Sequence, residues 1–240
     1  MESRFAGVLE EIDKARRGVA IYAAVVLALT AVSYVYAGRL LTRMAALLNR
    51  RLVAYDPSEG FFATLSIALY CGIALSLPVG AGLLWNGVVA ARRPEWKRWG
   101  ILVILVATLL FLAGAFLGYR VLLPAGIGFL AGFENERFRA LISARKFISF
   151  CGTILLAIGF SFEAPLVSYF LARFGWLRPA FFRNKWRHAV LICTVVAAVI
   201  TPTPDVYNLT LMTIPLLALF FVSFVVVWAV DRGRNRPPTP

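Results

Sequence analysis

Acidic residues are scarce in this chain: 12 aspartates and glutamates stand against 25 lysines and arginines, and charged residues make up only 15% of its 240 positions. Histidine occurs once, at His188, and the three cysteines, Cys71, Cys151 and Cys193, lie far apart inside apolar runs. A structural zinc site needs four closely spaced Cys or His ligands. This inventory offers no such metal site, and the cysteines read as small buried hydrophobes rather than a disulfide framework. No GxxxxGK or GxGxxG phosphate loop occurs. A nucleophile elbow is missing too: "GFSFE" supplies Ser161 without the second glycine, and His188 sits at the edge of an apolar run. The chain is therefore read as a non-enzyme without a cofactor, and any work it does draws its energy from elsewhere.

Apolar residues are abundant instead, at 60% of the chain, against about 45–50% in soluble domains. A water-soluble fold cannot hide that much surface, so the solvent is read as a bilayer. A helix needs about 20 apolar residues to cross a hydrocarbon core roughly 30 Å thick. Spans are expected at about residues 18–38, 61–85, 100–123, 147–172, 188–201 and 210–230. The last two are compressed: the apolar run Ala189–Ile200 is only 12 residues long, about 18 Å of helix, and Thr210–Val230 carries Pro215 near its start. The fold class is thus an all-α polytopic membrane protein with six transmembrane helices, the last two short. Four crossings followed by a re-entrant hairpin is the competing arrangement. Residues 1–232 form a single membrane domain in this reading, and 233–240 a disordered tail.

The basic excess sets the orientation. With six spans, one side holds Arg4, Lys14, Arg16, Arg17, Arg92, Arg93, Lys97, Arg98, Arg173, Arg178, Arg183, Lys185, Arg187, Arg232, Arg234 and Arg236. The other side keeps the remaining nine of 25, sharing its loops with Asp56, Glu59, Glu134 and Glu136. Both termini are placed in the cytoplasm, and the positive charge is assigned to anionic lipid rather than nucleic acid. "KARRGVAIYAAVVLALTAV" mimics a secretory leader, yet its apolar run continues far enough to be a first span. Before it, Phe5, Val8, Leu9 and Ile12 recur at i, i+3, i+4 and i+7, one helix face expected on the membrane surface.

Against this background four polar features stand out. Glu163 lies in "GFSFEAPLV", deep in the fourth span, where a carboxylate is costly unless it pairs, stays protonated or faces a bundle interior. Pro165 removes a backbone donor beside it and should bend the helix. "YDPSEGFF" reads as a helix start at the outer interface, with Ser58 capping and aromatics anchoring. Glu11 and Glu95 each lie close to arginines, and on spacing alone each is a surface ion pair of small value. "VITPTPDVYN" is a tight turn between the final two segments.

In order, these pieces resemble the TatC family, the multispanning core subunit of the twin-arginine protein translocase, from about Phe5 to Val230. The resemblance is carried by Pro57-x-Glu59-x-Phe61, Pro78 in "SLPV", "LLFLAGAFLGYRVLLP", "ISFCGTILLAIGFSFEAPLV" with Glu163, "ITPTPD", and Pro215 in "TIPLL". It implies a concave six-helix bundle in a prokaryotic inner membrane. Such a protein binds the paired-arginine signal peptides of folded precursors and recruits single-span TatA- and TatB-type partners within a self-associating complex driven by the proton-motive force. The resemblance places the signal-peptide site at Leu9, Glu11 and Glu95, and makes Glu163 the polar residue inside the bundle. It assigns structural or partner-docking roles to Pro57, Glu59, Phe61, Pro78, Pro165, Asp205 and Pro215. Where the family usually has His-Leu-x-Glu-Leu-Arg this chain reads Val8-Leu9-Glu10-Glu11-Ile12-Asp13, and Leu209 stands at a glutamine position. The alternative from the residues alone is a proton-coupled small-molecule permease with Glu163 as its proton site.

Overall fold

The computed structural model describes residues 2–46, 56–89, 94–131, 143–201 and 205–234. Among these residues the chain is helical throughout: α1 (Glu2–Ala46), α2 (Pro57–Leu84), a π-helical turn (Trp85–Val89), a 3-10 turn (Pro94–Trp99), α3 (Gly100–Leu117), a second π-helical turn (Gly118–Leu122), α4 (Leu123–Ala131), α5 (Ala144–Ser161), α6 (Ala164–Arg173), α7 (Pro179–Ile200) and α8 (Val206–Arg234).

Five stretches are long and apolar enough to cross a membrane: Arg16–Met44, Ser58–Gly87, Pro94–Gly128, Ala144–Arg173 and Val206–Gly233. They cover five of the six expected spans. The sixth, α7, forms a helix of 22 residues but falls outside that set, because Arg183, Lys185, Arg187 and His188 occupy its first half. The expectation that both final spans are short needs correcting for the last one. α8 runs 29 residues, because its first turn starts at Val206, directly after Asp205, and carries through Pro215. The helix also includes Gly233 and Arg234, the first two residues assigned to the tail; 235–240 lie outside the described residues. At the other end, the amphipathic lead-in and the first span form one uninterrupted helix. The side chains of Phe5, Val8, Leu9, Glu11 and Ile12 lie outside the described set.

The contacts divide into two compact units, residues 1–109 with 142–152, and residues 110–141 with 153–240. In the first, α1 and α2 form an antiparallel hairpin whose seam depends on small residues. A Cβ on Gly72 would run into the Thr30 backbone, 2.8 Å from its nitrogen, and one on Gly80 would meet the Tyr22 ring at 2.9 Å. Ser76, fully buried, shares a 3.0 Å hydrogen bond with the Tyr22 hydroxyl. Interfaces of this kind are favoured in lipid, where close backbone approach replaces the hydrophobic driving force. The start of α5 runs beside α2, with the Tyr70 ring over Gly152 and its hydroxyl 3.3 Å from Ser149 Oγ.

In the second unit, Gly114 and Gly118, a small-xxx-small pair, let α3 and the following turn approach α5. Gly114 faces Phe162 and the Ile158 carbonyl, Gly118 faces Leu155, and Gly159 faces Phe111. Helix α6 ends at Arg173, and the chain turns away at Gly175, whose φ of 81° is a backbone conformation that glycine adopts without a Cβ penalty. Its N–H reaches the Ala172 carbonyl at 2.9 Å. Pro179 then opens α7, where its missing N–H costs nothing. Phe182 from α7 packs with Ala172 and Val227, flanked by Leu177, Phe220, Phe224 and Val230.

Candidate functional site

The fourth apolar stretch is interrupted where the sequence predicts a bend. Helix α5 stops at Ser161 and α6 starts at Ala164. Pro165 has no N–H to return to the Ser161 carbonyl, so the regular ladder ends there. Phe162 N–H reaches the Ile158 carbonyl at 3.1 Å, and Glu163 N–H reaches the Phe160 carbonyl at 3.1 Å. Glu163 is thereby the residue that caps α6, its own carbonyl accepting from Val167 N–H at 2.9 Å. Its side chain is half-buried, and Oε1 is sealed from solvent without a hydrogen-bond partner among the described residues. Leaving a buried acceptor unmet costs about 1–3 kcal/mol, more when it is charged. A position that keeps this cost is a candidate for a polar visitor.

Glu95 lies in the first unit, on the 3-10 turn Pro94–Trp99. It is exposed and already engages a group within the chain. The turn leads into α3 at Gly100, where the buried Trp85 indole packs so closely that a Cβ would stand 2.8 Å from its nitrogen. That contact holds the Glu95 turn against the end of α2. Glu11 belongs to α1 in the same unit, but its side chain and that of Leu9 lie outside the described residues. Two positions on from Glu11, Asp13 pairs with Arg17 at 3.2 Å, both well exposed.

The "YDPSEGFF" motif takes a form that sequence reasoning did not foresee. The residue before α2 is Asp56, not Ser58, and it makes no side-chain cap bond; Ser58 lies inside the first turn, so the expected capping role is corrected. Pro57 takes the first helical position, and Glu59 Oε1 accepts a hydrogen bond from Ser143 Oγ. Ser143 in turn caps α5: its Oγ accepts from Lys146 N–H at 3.3 Å. Two helix starts 84 positions apart in sequence are thus clamped by one carboxylate. Next to it the Arg145 guanidinium lies 4.9 Å from the centre of the Phe62 ring, while Phe61 is exposed and meets Phe62 edge-on. Ser143 was missed although a Ser followed by Ala-Arg-Lys before an apolar run is itself a helix-start signal.

Asp205 is the N-cap of α8. Its Oδ1 accepts from Asn208 N–H at 2.6 Å and its Oδ2 from Asn208 Nδ2 at 2.9 Å, which satisfies the buried Asn208 side chain. Pro78 and Pro215 sit inside α2 and α8. Among the described residues no cluster of His, Cys, Asp and Glu is arranged to hold a metal.

Comparison with known proteins agrees with this architecture. Residues 10–215 match the family model described as Sec-independent protein translocase protein (TatC). The chain is 33% identical over 177 residues to the Sec-independent protein translocase protein TatC of Desulforapulum autotrophicum, covering 74% of this chain and 65% of that relative. The relative from Deinococcus radiodurans is also covered over 65% of its length, so the chain spans about two thirds of these proteins. The Bacillus subtilis protein TatCd is 31% identical over 238 residues, covering 99% of this chain and 97% of its own. A crystal structure of a twin-arginine translocase receptor, TatC, superimposes with a TM-score of 0.84 at 28% identity, over 92% of this chain and 100% of that one.

Proposed function

The chain belongs to the TatC family of Sec-independent protein translocase proteins, and from that premise we propose that it is the receptor and scaffold of a twin-arginine export system. It is a multi-span membrane protein and a translocase component rather than an enzyme. Residues 1–232 act as one membrane domain in a prokaryotic inner membrane, with both termini in the cytoplasm. Folded precursors dock through the paired arginines of their signal peptides. TatA- and TatB-type single-span subunits join it in a self-associating complex, and the proton-motive force supplies the energy.

The recognition chemistry follows from the donor geometry. A guanidinium offers a rigid fork of N–H groups that a carboxylate accepts in pairs, which an ammonium cannot reproduce. Glu11 and Glu95, with Leu9 as apolar neighbour, are the acceptors for two adjacent arginines. The exposure of Glu95 on a braced turn supports this role. Glu163 is the second station, where the polar part of a partner or signal helix satisfies the buried oxygen. Pro57, Glu59, Phe61, Pro78, Pro165, Asp205 and Pro215 shape the helix starts and bends that present these groups. The observation that carries the reading is the buried, unpartnered Glu163 Oε1 at a helix break within a membrane-crossing stretch. The permease alternative has no such family match behind it.

The test is export of a twin-arginine reporter in a strain lacking its own translocase core but supplied with this chain and matching single-span partners. The expected result is rescue by the wild type, and loss of rescue by Glu163→Ala and by Glu11→Gln with Glu95→Gln, at equal membrane levels. Full rescue by both variants would refute the assignment of these acids.

A further inference from the structure

The second unit carries a cleft that the translocase reading does not use. It measures about 300 Å³ and is lined by Arg178, Pro179, Ala180 and Arg183 from the start of α7, and by Phe224, Trp228 and Asp231 from the end of α8. The size is at the lower end for small-ligand sites, about 300–1,000 Å³. Its wall is divided by chemistry. Phe224 and Trp228 supply an apolar side, continuous with the aromatic cluster around Phe182. Arg178 and Arg183 supply two exposed guanidiniums, and the first turn of α7 adds the positive end of a 22-residue helix. Arg232 stacks on the Trp228 ring at 4.2 Å, bringing a third guanidinium to the rim. Asp231 is the one acid among the lining residues, and no ion pair within 4 Å joins it to Arg178 or Arg183 among the described residues. The guanidiniums are therefore not neutralised from within the cleft.

The place of the cleft decides between ligands. The apolar stretch of α8 ends at Gly233, two residues past Asp231, and α7 changes from basic to apolar just after His188. Both walls belong to the level where hydrocarbon gives way to headgroups, and Trp186 on α7 and Trp176 in the turn just before it stand exposed, as interfacial tryptophans do. A ligand fitting here has one anionic end for the arginines and one apolar end for Phe224 and Trp228. A basic pocket between membrane helices with those two ends matches a phospholipid. We infer that the cleft between the start of α7 and the end of α8 is a binding site for one anionic phospholipid. Its phosphodiester is held by Arg178 and Arg183, and the beginning of its acyl chains lies on Phe224 and Trp228.

The site is tested on the full chain in a neutral detergent, by native mass spectrometry with phosphatidylglycerol, phosphatidylcholine or inorganic phosphate added. One phosphatidylglycerol is expected to stay bound, with phosphatidylcholine retained less and phosphate unable to displace it. Arg178→Ala and Arg183→Ala should each weaken retention about fivefold, the scale of one basic residue at a lipid surface. Lys185→Ala with Arg187→Ala, which removes two charges outside the cleft, should leave it within twofold, and Asp231→Asn should strengthen it. Equal loss in the two arginine-cleft variants and the control pair would overturn the site, as would equal retention of phosphatidylcholine or displacement by phosphate. Weaker binding in Asp231→Asn, which keeps both arginines and the fold, would also overturn it.

Discussion

Replacing Ser143 by alanine severs two bonds at once, and the structure separates them. One is the hydrogen bond donated to Glu59 Oε1; the other is the cap accepted from Lys146 N–H. Losing a serine N-cap costs about 1 kcal/mol. A hydrogen bond to a charged acceptor contributes roughly 1.5–3 kcal/mol in soluble proteins, but couplings inside membrane helical proteins run lower, averaging about 0.6 and reaching about 1.7 kcal/mol. Ser143 is buried and Glu59 half-buried, so the upper part of that lower range applies, about 1–1.5 kcal/mol. Ser143→Ala should therefore cost about 2–2.5 kcal/mol in the wild type, but only about 1 when Glu59 is already alanine. Glu59 has further interactions of its own, so the single variants do not isolate the bond and a double-mutant cycle does. For a chain of this size each kcal/mol shifts the melting temperature by about 2–4 °C. Circular dichroism melts of the four proteins in one detergent should show Ser143→Ala lowering Tm by about 4–10 °C alone and about 2–4 °C in the Glu59→Ala background. Equal shifts in both backgrounds would refute the clamp between the two helix starts.

Gly114→Val should lower Tm by about 2–12 °C, the cost of overpacking by about 1–3 kcal/mol, because a Cβ there stands 2.8 Å from the Phe162 ring; Gly128→Ala, which meets nothing within 4 Å, is the neutral control. Asp205→Ala removes both acceptors of Asn208, so hydrogen exchange of the 206–209 amides should quicken by roughly tenfold, as expected for a cap of about 1 kcal/mol or more. Glu163→Leu removes a buried unmet oxygen and should raise Tm by several degrees while reporter export falls, the usual opposition between stability and a functional polar site. Export at wild-type rate in that variant would leave Glu163 without a role.

Which features were readable in advance follows from how many bodies each one involves. The five apolar stretches depend only on the local run of residues, so their cores fall where the sequence places them. Glu163 and the bend beside Pro165 are equally local, since a carboxylate in an apolar run and a missing N–H need no partner to be noticed. The helix ends were harder. α7 starts at Pro179 because proline is accepted there, and its basic half remains helical although it adds nothing to an apolar count. α8 is longer than expected because Asp205 caps it one residue before Val206; the tight turn expected over "TPTPD" falls largely on residues 202–204, outside the described residues. Pairings between distant positions were not readable at all. The Glu59–Ser143 bond joins residues 84 apart, and the approaches of Gly72 to Thr30 and Gly114 to Phe162 depend on which helices meet. The proposed arginine-recognition residues illustrate the same limit. Glu11 and Glu95 are single acids near arginines in the sequence, and only the family resemblance brings them into one site.

The proposed receptor role rests on two carboxylates, Glu11 and Glu95, reading a pair of arginines. The direct measurement is the affinity of a fluorescent signal peptide for the full chain in nanodiscs, with the pair as Arg-Arg or Lys-Lys, in the wild type, Glu11→Gln and Glu95→Gln. Losing one charge-assisted bond of about 1.5–3 kcal/mol should weaken the Arg-Arg peptide by at least tenfold in each variant and narrow its advantage over Lys-Lys. Unchanged affinity in both variants, or equal binding of the two peptides to the wild type, would contradict it.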